Sequence, residues 1–246
     1  MKKDELYELL QEGLKEIEDR KTRKFEEAAA MCQRERKDRV REMVFDEGGV
    51  FARSETLTLR KILDTDKENY LNLYRVKESY ANLFDRPEFD LGDALWNDFN
   101  SDETINTIIV RNHDGAFCGF CGLQEYKLRN EPELSIELGR EFQRQGIGCE
   151  ALKMLMQHYS EITGNNVFIS KVSHENLASQ KLMRKLGGKP NGVAKFPGAP
   201  ESVLKIMEED GEEPKDDLSI ALAEEFGTTT RKLKSHVLVF RLENDV

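Results

Sequence analysis

Cysteine and proline are scarce, with four and six copies in 246 residues. Cys32, Cys118, Cys121 and Cys149 are too few and too scattered to staple a disulfide scaffold, which points to a reducing, cytoplasmic setting. No run of about 18 apolar residues occurs, which excludes a spanning membrane helix. The first ten residues, MKKDELYELL, lack the apolar stretch of a secretory signal. Hydrophobic residues make up only 38% of the chain and charged ones 34%, so part of its length must lie outside any packed core. The net charge of -10 argues against general nucleic-acid binding and favours cationic partners. The four histidines, His113, His158, His174 and His236, stand apart, and no Cys/His set has zinc spacing, so no metal is expected.

What is present divides into three textures. Residues 1–50 form a charged helical extension, with apolar residues at Leu6, Leu9, Leu10, Leu14 and Ile17 and again at Val40, Met43 and Val44. Its charges are mixed in sign, which suits a covering helix or a homodimer contact better than a nucleic-acid arm. Residues 51–246 read as one domain. Glu55–Arg60, Thr107–Val110, Phe117–Leu123, Leu134–Leu138, Val167–Val172 and His236–Leu242 have strand patterns. Helical patterns run from a capping box at Thr65–Glu68 through Tyr74, over Asp93–Phe99, Cys149–Thr163 and Leu177–Leu186. This order predicts an α/β (α+β) fold with a mixed, mostly antiparallel sheet. An acidic insertion at about 199–230 interrupts it before the last strand. Between Pro200 and Phe226 stand ten acidic residues and two lysines, a net of -8.

The most informative run is Gln143-Arg-Gln-Gly-Ile-Gly148, set between a strand and a helix. Two glycines there let backbone N–H groups approach a phosphate, and the helix start adds unpaired amides and the positive end of its dipole. The run matches neither the Walker loop nor the three-glycine dinucleotide fingerprint. Twenty-eight residues past the loop comes Asn176-Leu-Ala-Ser-Gln-Lys-Leu-Met-Arg-Lys-Leu-Gly187. With Glu55–Arg60 and Gly119-Phe-Cys-Gly-Leu123, these motifs resemble the GNAT superfamily of N-acetyltransferases. Their phrasing is closest to the branch that acetylates ribosomal-protein N-termini at alanine or serine.

The resemblance implies a sheet splayed at the cofactor site and acetyl-CoA as cosubstrate. The strand before the loop is expected to bulge and to offer its open edge, around Leu138, Gly139 and Arg140, to the pantetheine arm. Gln143, Arg144, Gln145, Gly146, Ile147 and Gly148 would hold the pyrophosphate, with Asn176 and Ser179 on the far side. The acceptor amine attacks the thioester directly, helped by a backbone N–H at Leu138. Glu133 takes the place of the branch's usual glutamate, and Glu137 that of an aromatic; either could serve as base through a water. The thiolate-protonating tyrosine is replaced by Met183, leaving Ser179 or solvent for that step. The implied acceptor is a primary amine, either a peptide or protein α-amine or a small cation such as a polyamine or aminoglycoside. A non-catalytic acyl-CoA-binding or assembly module is the rival from another class.

Overall fold

The structure is a computed structural model that describes residues 39–77, 84, 90–124 and 130–244. The chain divides into two compact units, residues 1–42 and 43–246. The helical extension and the dimer contact expected of it therefore lie almost wholly outside the described residues.

The second unit is built on one eight-stranded sheet of order β1-β2-β3-β4-β5-β6-β8-β7. The strands are β1 (Val50–Arg53), β2 (Leu57–Arg60), β3 (Ile105–Arg111), β4 (Phe117–Gln124), β5 (Glu133–Leu138), β6 (Val167–Val172), β7 (Lys189–Lys195) and β8 (His236–Glu243). Every neighbouring pair is antiparallel except β5 with β6. This is the mixed, mostly antiparallel sheet that the pattern predicts. Two strands escaped the sequence reading. β1 is only four residues long, and β7, KPNGVAK, carries the proline, asparagine and glycine of a turn. It is an edge strand, where a missing proline N–H costs no ladder bond.

Helices cover both faces. On one, α1 (Lys67–Arg75) and α2 (Leu91–Phe99) lie over β3 and β4. Tyr70, Leu71, Leu73, Trp96 and Phe99 pack there against Ile108 and Phe120. Tyr70 and Phe99 stack with ring centroids 4.1 Å apart. On the other, α3 (Ile147–Thr163) buries Ala151, Leu152, Leu155, Met156 and Tyr159. Its Glu150 carboxylate accepts hydrogen bonds from Ser54 and Thr56 at 2.6 and 2.5 Å, which fixes α3 to the β1–β2 connection. The acidic stretch forms α5 (Glu201–Glu209), α6 (Asp217–Glu225) and the short α7 (Thr230–Leu233), following α4 (Leu177–Lys185) in chain order.

The expected capping box at Thr65–Glu68 is absent. A 3-10 turn over Asp64–Asp66 precedes α1, so the residue before α1 is Asp66 and not Thr65, and it makes no side-chain cap onto α1. Its buried carboxylate takes both guanidinium nitrogens of Arg60, at 2.7 and 2.8 Å, and the Leu63 N–H. Asp66 thus ties the sheet, through the charge-assisted fork from Arg60, to the start of the 3-10 turn, through the Leu63 N–H.

The bulge expected on β5 also falls elsewhere. β5 pairs with β4 in unbroken register, Leu138 with Gly119 through Glu133 with Gln124. The irregularity lies one strand over, where β4 slips against β3 between Phe117 and Gly119. Gly119 has φ +143°, and a Cβ on it would collide with the carbonyl oxygen of Glu137. Gly119→Ala should therefore cost about 3 kcal/mol through strain and overpacking, a fall of roughly 6–12 °C in Tm. Gly115→Ala, at a hairpin tip with open space around it, should cost only about 1 kcal/mol. Equal melting temperatures for the two variants would contradict the close approach of β4 and β5.

Candidate active site

β5 and β6 share a single register pair, Glu133 with Ile169, beside a hydrogen bond from the Ile169 N–H to the Pro132 carbonyl. Beyond that pair they diverge. The Gly139 N–H donates to Cys118 of β4 at 2.9 Å. Strand backbone groups alternate in direction, so those of Leu138 and Ile136 point the other way, into the split. The open edge is thus Ile136 and Leu138. Gly139, expected on that edge, spends its N–H on β4. Arg140 has left the strand for a 3-10 turn, Arg140–Phe142. Ile136 was missed, although period two places it beside Leu138.

The Gln143–Gly148 loop closes one end of the split. Arg144 and Gly146 both have left-handed backbone, φ 61° and 86°. Such turns aim successive N–H groups into one concavity, an anion nest. Gly146 caps α3, and the first N–H groups of that helix have no carbonyl to meet within it. The helix begins two residues earlier than its apolar pattern suggests, so Ile147 and Gly148 belong to its first turn. A Cβ on Gly148 would lie 3.3 Å from Ile136 Cδ1 and 3.4 Å from Leu138 Cδ1. Glycine there lets the positive end of α3 sit against the open strand. Gln143 donates from Nε2 to the Leu138 carbonyl at 3.0 Å, while Gln145 donates to the Glu141 carbonyl.

Asn176 and Ser179 sit together at the start of α4. The Asn176 side chain caps that helix, accepting the Ser179 N–H at 3.0 Å, so its oxygen is committed locally. Leu182 of the same helix comes within 3.6 Å of a Cβ placed on Gly148, which brings α4 alongside the loop. Met183 is buried in the core.

Leu138 also lines a cleft of about 350 Å³ between the end of β5 and the last turn of α1, together with Leu73, Val76, Lys77, Glu137 and Gln143. Ile136 and Leu138 face α3, so Glu133, Ser135 and Glu137 occupy the opposite face, as their alternation predicts. Both candidate bases carry a lysine. Lys77 Nζ stands 2.5 Å from the Glu137 carboxylate and 4.9 Å from the Tyr74 ring centre. Lys171 of β6 pairs with Glu133 across the start of the split. Five strand steps, about 16 Å, separate Glu133 from Leu138; Glu137 is its neighbour. Lys77 follows a helix end and belongs to no motif, so nothing in the sequence singled it out. Arg140 turns its side chain to this side, donating to the Val76 carbonyl at 3.0 Å.

The Cys118 and Cys121 thiols are buried and free. Burial pushes Cys121 up to about 12 and raises Cys118 too, which makes both poor redox or metal groups. Among the described residues, no three His, Cys, Asp or Glu side chains converge as a metal set, and no helix is long and apolar enough to cross a membrane.

A family model described as an acetyltransferase (GNAT) domain matches residues 56–189, more than half of the chain. The chain belongs to the GNAT acetyltransferases. It is an acetyl-CoA-dependent N-acetyltransferase acting on amines. Curated proteins contain no match. Solved structures share the fold at low identity. A provisionally assigned ribosomal-protein-serine acetyltransferase from Vibrio cholerae is 19% identical with a TM-score of 0.52, covering 78% of this chain and 96% of its own. Spermidine N-acetyltransferase from the same organism, solved with CoA and spermine, is 15% identical with a TM-score of 0.51, covering 78% and 97%. A GCN5-related N-acetyltransferase from Brucella melitensis is 14% identical, TM-score 0.53, covering 80% of each chain.

The contact between α3 and β5 has a direct consequence for stability. Gly148→Val would drive two methyl groups into Ile136 and Leu138, at a cost of about 1–3 kcal/mol. A thermal melt measures it, and a Tm unchanged from the parent would contradict the packing.

Proposed function

We propose that this GNAT enzyme acetylates the α-amine of a peptide or protein N-terminus, with acetyl-CoA lying in the split between β5 and β6. The observation that carries the reading is the Leu138 N–H, which faces that split beside Glu137 and the cleft under α1. The nest of Arg144 to Gly148 and the first amides of α3 suit the pyrophosphate, and the edge of Ile136 and Leu138 suits the pantetheine amides. Asn176 and Ser179 would bound the cofactor from α4 through the Asn176 amide nitrogen and the Ser179 hydroxyl. The bound thioester supplies the acetyl group.

The protein's own residues do the rest. The Leu138 N–H polarises the thioester carbonyl, and the cleft holds the amine in line with it. Glu137, next to Leu138, takes the amine proton directly or through one water, whereas Glu133 acts only over a longer chain of waters. With Met183 buried, the departing thiolate takes its proton from Ser179 or solvent. A thiol is acidic enough, near 8.5, to need little help.

The acceptor's own acidity favours the α-amine. An α-amine, with a pKa of about 7.7 to 8.0, is partly neutral near pH 7, while a lysine or polyamine amine is not. A second reading, a small cationic amine, has its own support in the cation held between Glu137 and Tyr74 and in the acidic helices α5 and α6. The cytoplasmic setting goes with either acceptor and fits the free thiols of Cys118, Cys121 and Cys149.

Acetyl-CoA at about 100 times its Kd should stabilise the protein by roughly 2.7 kcal/mol, or about 5–11 °C in Tm. Gly146→Glu, which puts a carboxylate into the nest, should lose the shift. Peptides beginning with alanine or serine should then show the higher kcat/KM, and spermine the lower. The reverse ranking would establish the cationic reading. In that case neutralising Glu209 and Glu212 should raise KM for spermine. These two are the glutamates to change, because Glu208 and Glu213 anchor α5 and the loop after it. Glu208 accepts from Ser235, and Glu213 from Thr230.

A further inference from the structure

The cleft in front of Leu138 already contains an amine. Lys77 Nζ lies 2.5 Å from Glu137 Oε2 and over the Tyr74 ring, and its side chain is one-third exposed. Carboxylate below and aromatic face beside is the chemistry that holds an incoming ammonium. Lys77 and Leu138 line the same cavity. Its backbone is also fixed, because it follows the last turn of α1, whose Val76 carbonyl is held by Arg140 at 3.0 Å, and its own N–H donates to the Tyr74 carbonyl at 2.9 Å. An amine tethered beside the reacting centre gains the effective concentration of an intramolecular reaction, which no free acceptor enjoys.

We infer that Lys77 is a self-acetylation site, modified in cis by the enzyme's own active centre. This rests on the reading that the thioester lies against the Leu138 N–H. The Lys77 ammonium gives one proton to Glu137, and its freed lone pair attacks the thioester carbonyl carbon. The new C–N bond forms as the C–S bond breaks, and the electron pair leaves with the coenzyme A sulfur. The thiolate takes up one proton from solvent, the amide nitrogen releases its second to solvent, and Glu137 passes on the first to solvent. Acetyl-CoA is the only co-reactant. The product, N-acetyl-Lys77, carries no charge and leaves the Glu137 carboxylate to the next amine, so the first turnover prepares the site for external acceptors. Lys171 is an internal control. It pairs with Glu133, five strand steps or about 16 Å along β5 from Leu138, so it should stay unmodified.

The test incubates the purified full chain with acetyl-CoA and maps acetyl-lysine by peptide mass spectrometry over time, alongside transfer to an alanine-starting peptide and to spermine. Lys77 should be the fastest lysine to gain an acetyl group, at a rate unchanged by tenfold dilution of the protein. Glu137→Gln should slow it at least tenfold, and Gly146→Glu should abolish it. Lys77→Arg, which keeps the cation on Glu137, should remove that modified site without altering the melting temperature. A rate proportional to protein concentration, equal modification in Gly146→Glu, or an unmodified Lys77 in an enzyme that acetylates peptide or spermine overturns the inference and leaves the proposed function standing. Absence of transfer to every amine, Lys77 included, overturns both.

Discussion

The structure depends on one local break in an otherwise continuous sheet. β5 meets β6 at Glu133 and Ile169 and nowhere further along, so the inner-sheet N–H and C=O groups of Ile136 and Leu138 find no strand partner. Unpaired backbone groups inside a fold are costly unless something else satisfies them. The surrounding residues keep the break open and polar. Gly119 lets β4 press close enough to hold β5 on its other side, and Gly148 lets the amide end of α3 abut the open edge. Gln143 takes up the Leu138 carbonyl. A ligand with amides and phosphates, such as coenzyme A, complements what remains.

The other face of β5 carries the acidic side chains. Glu133 and Glu137 both stand opposite lysines, one at each end of the split. The acidic helices before β8 add a field attractive to cations. Several of their carboxylates are structural: Glu208 binds Ser235 and Glu225 binds Arg184.

Much of this was legible in the sequence where chemistry is local. The two glycines of the loop and the period-two faces of β5 follow from rules acting over a few residues. The readings that failed involve long-range competition. Thr65 opens a capping-box pattern, but Asp66, whose carboxylate binds Arg60 on β2 and the Leu63 N–H, holds that stretch in a 3-10 turn instead. The bulge belongs to β4, because Gly119 there can take φ +143° and no residue of β5 needs to. β7 was hidden by turn-like residues that an edge strand tolerates. Lys77 lay in no motif at all, and only the packing of α1 against the end of β5 brings it to Glu137.

Hydrogen exchange at the amides of Ile136 and Leu138 tests the central claim most directly. In the free protein both should exchange quickly although they lie within an eight-stranded sheet, and acetyl-CoA should protect them by at least tenfold. Slow exchange of both amides without ligand, or no added protection at saturating acetyl-CoA, would contradict an open edge at β5 that receives the cofactor.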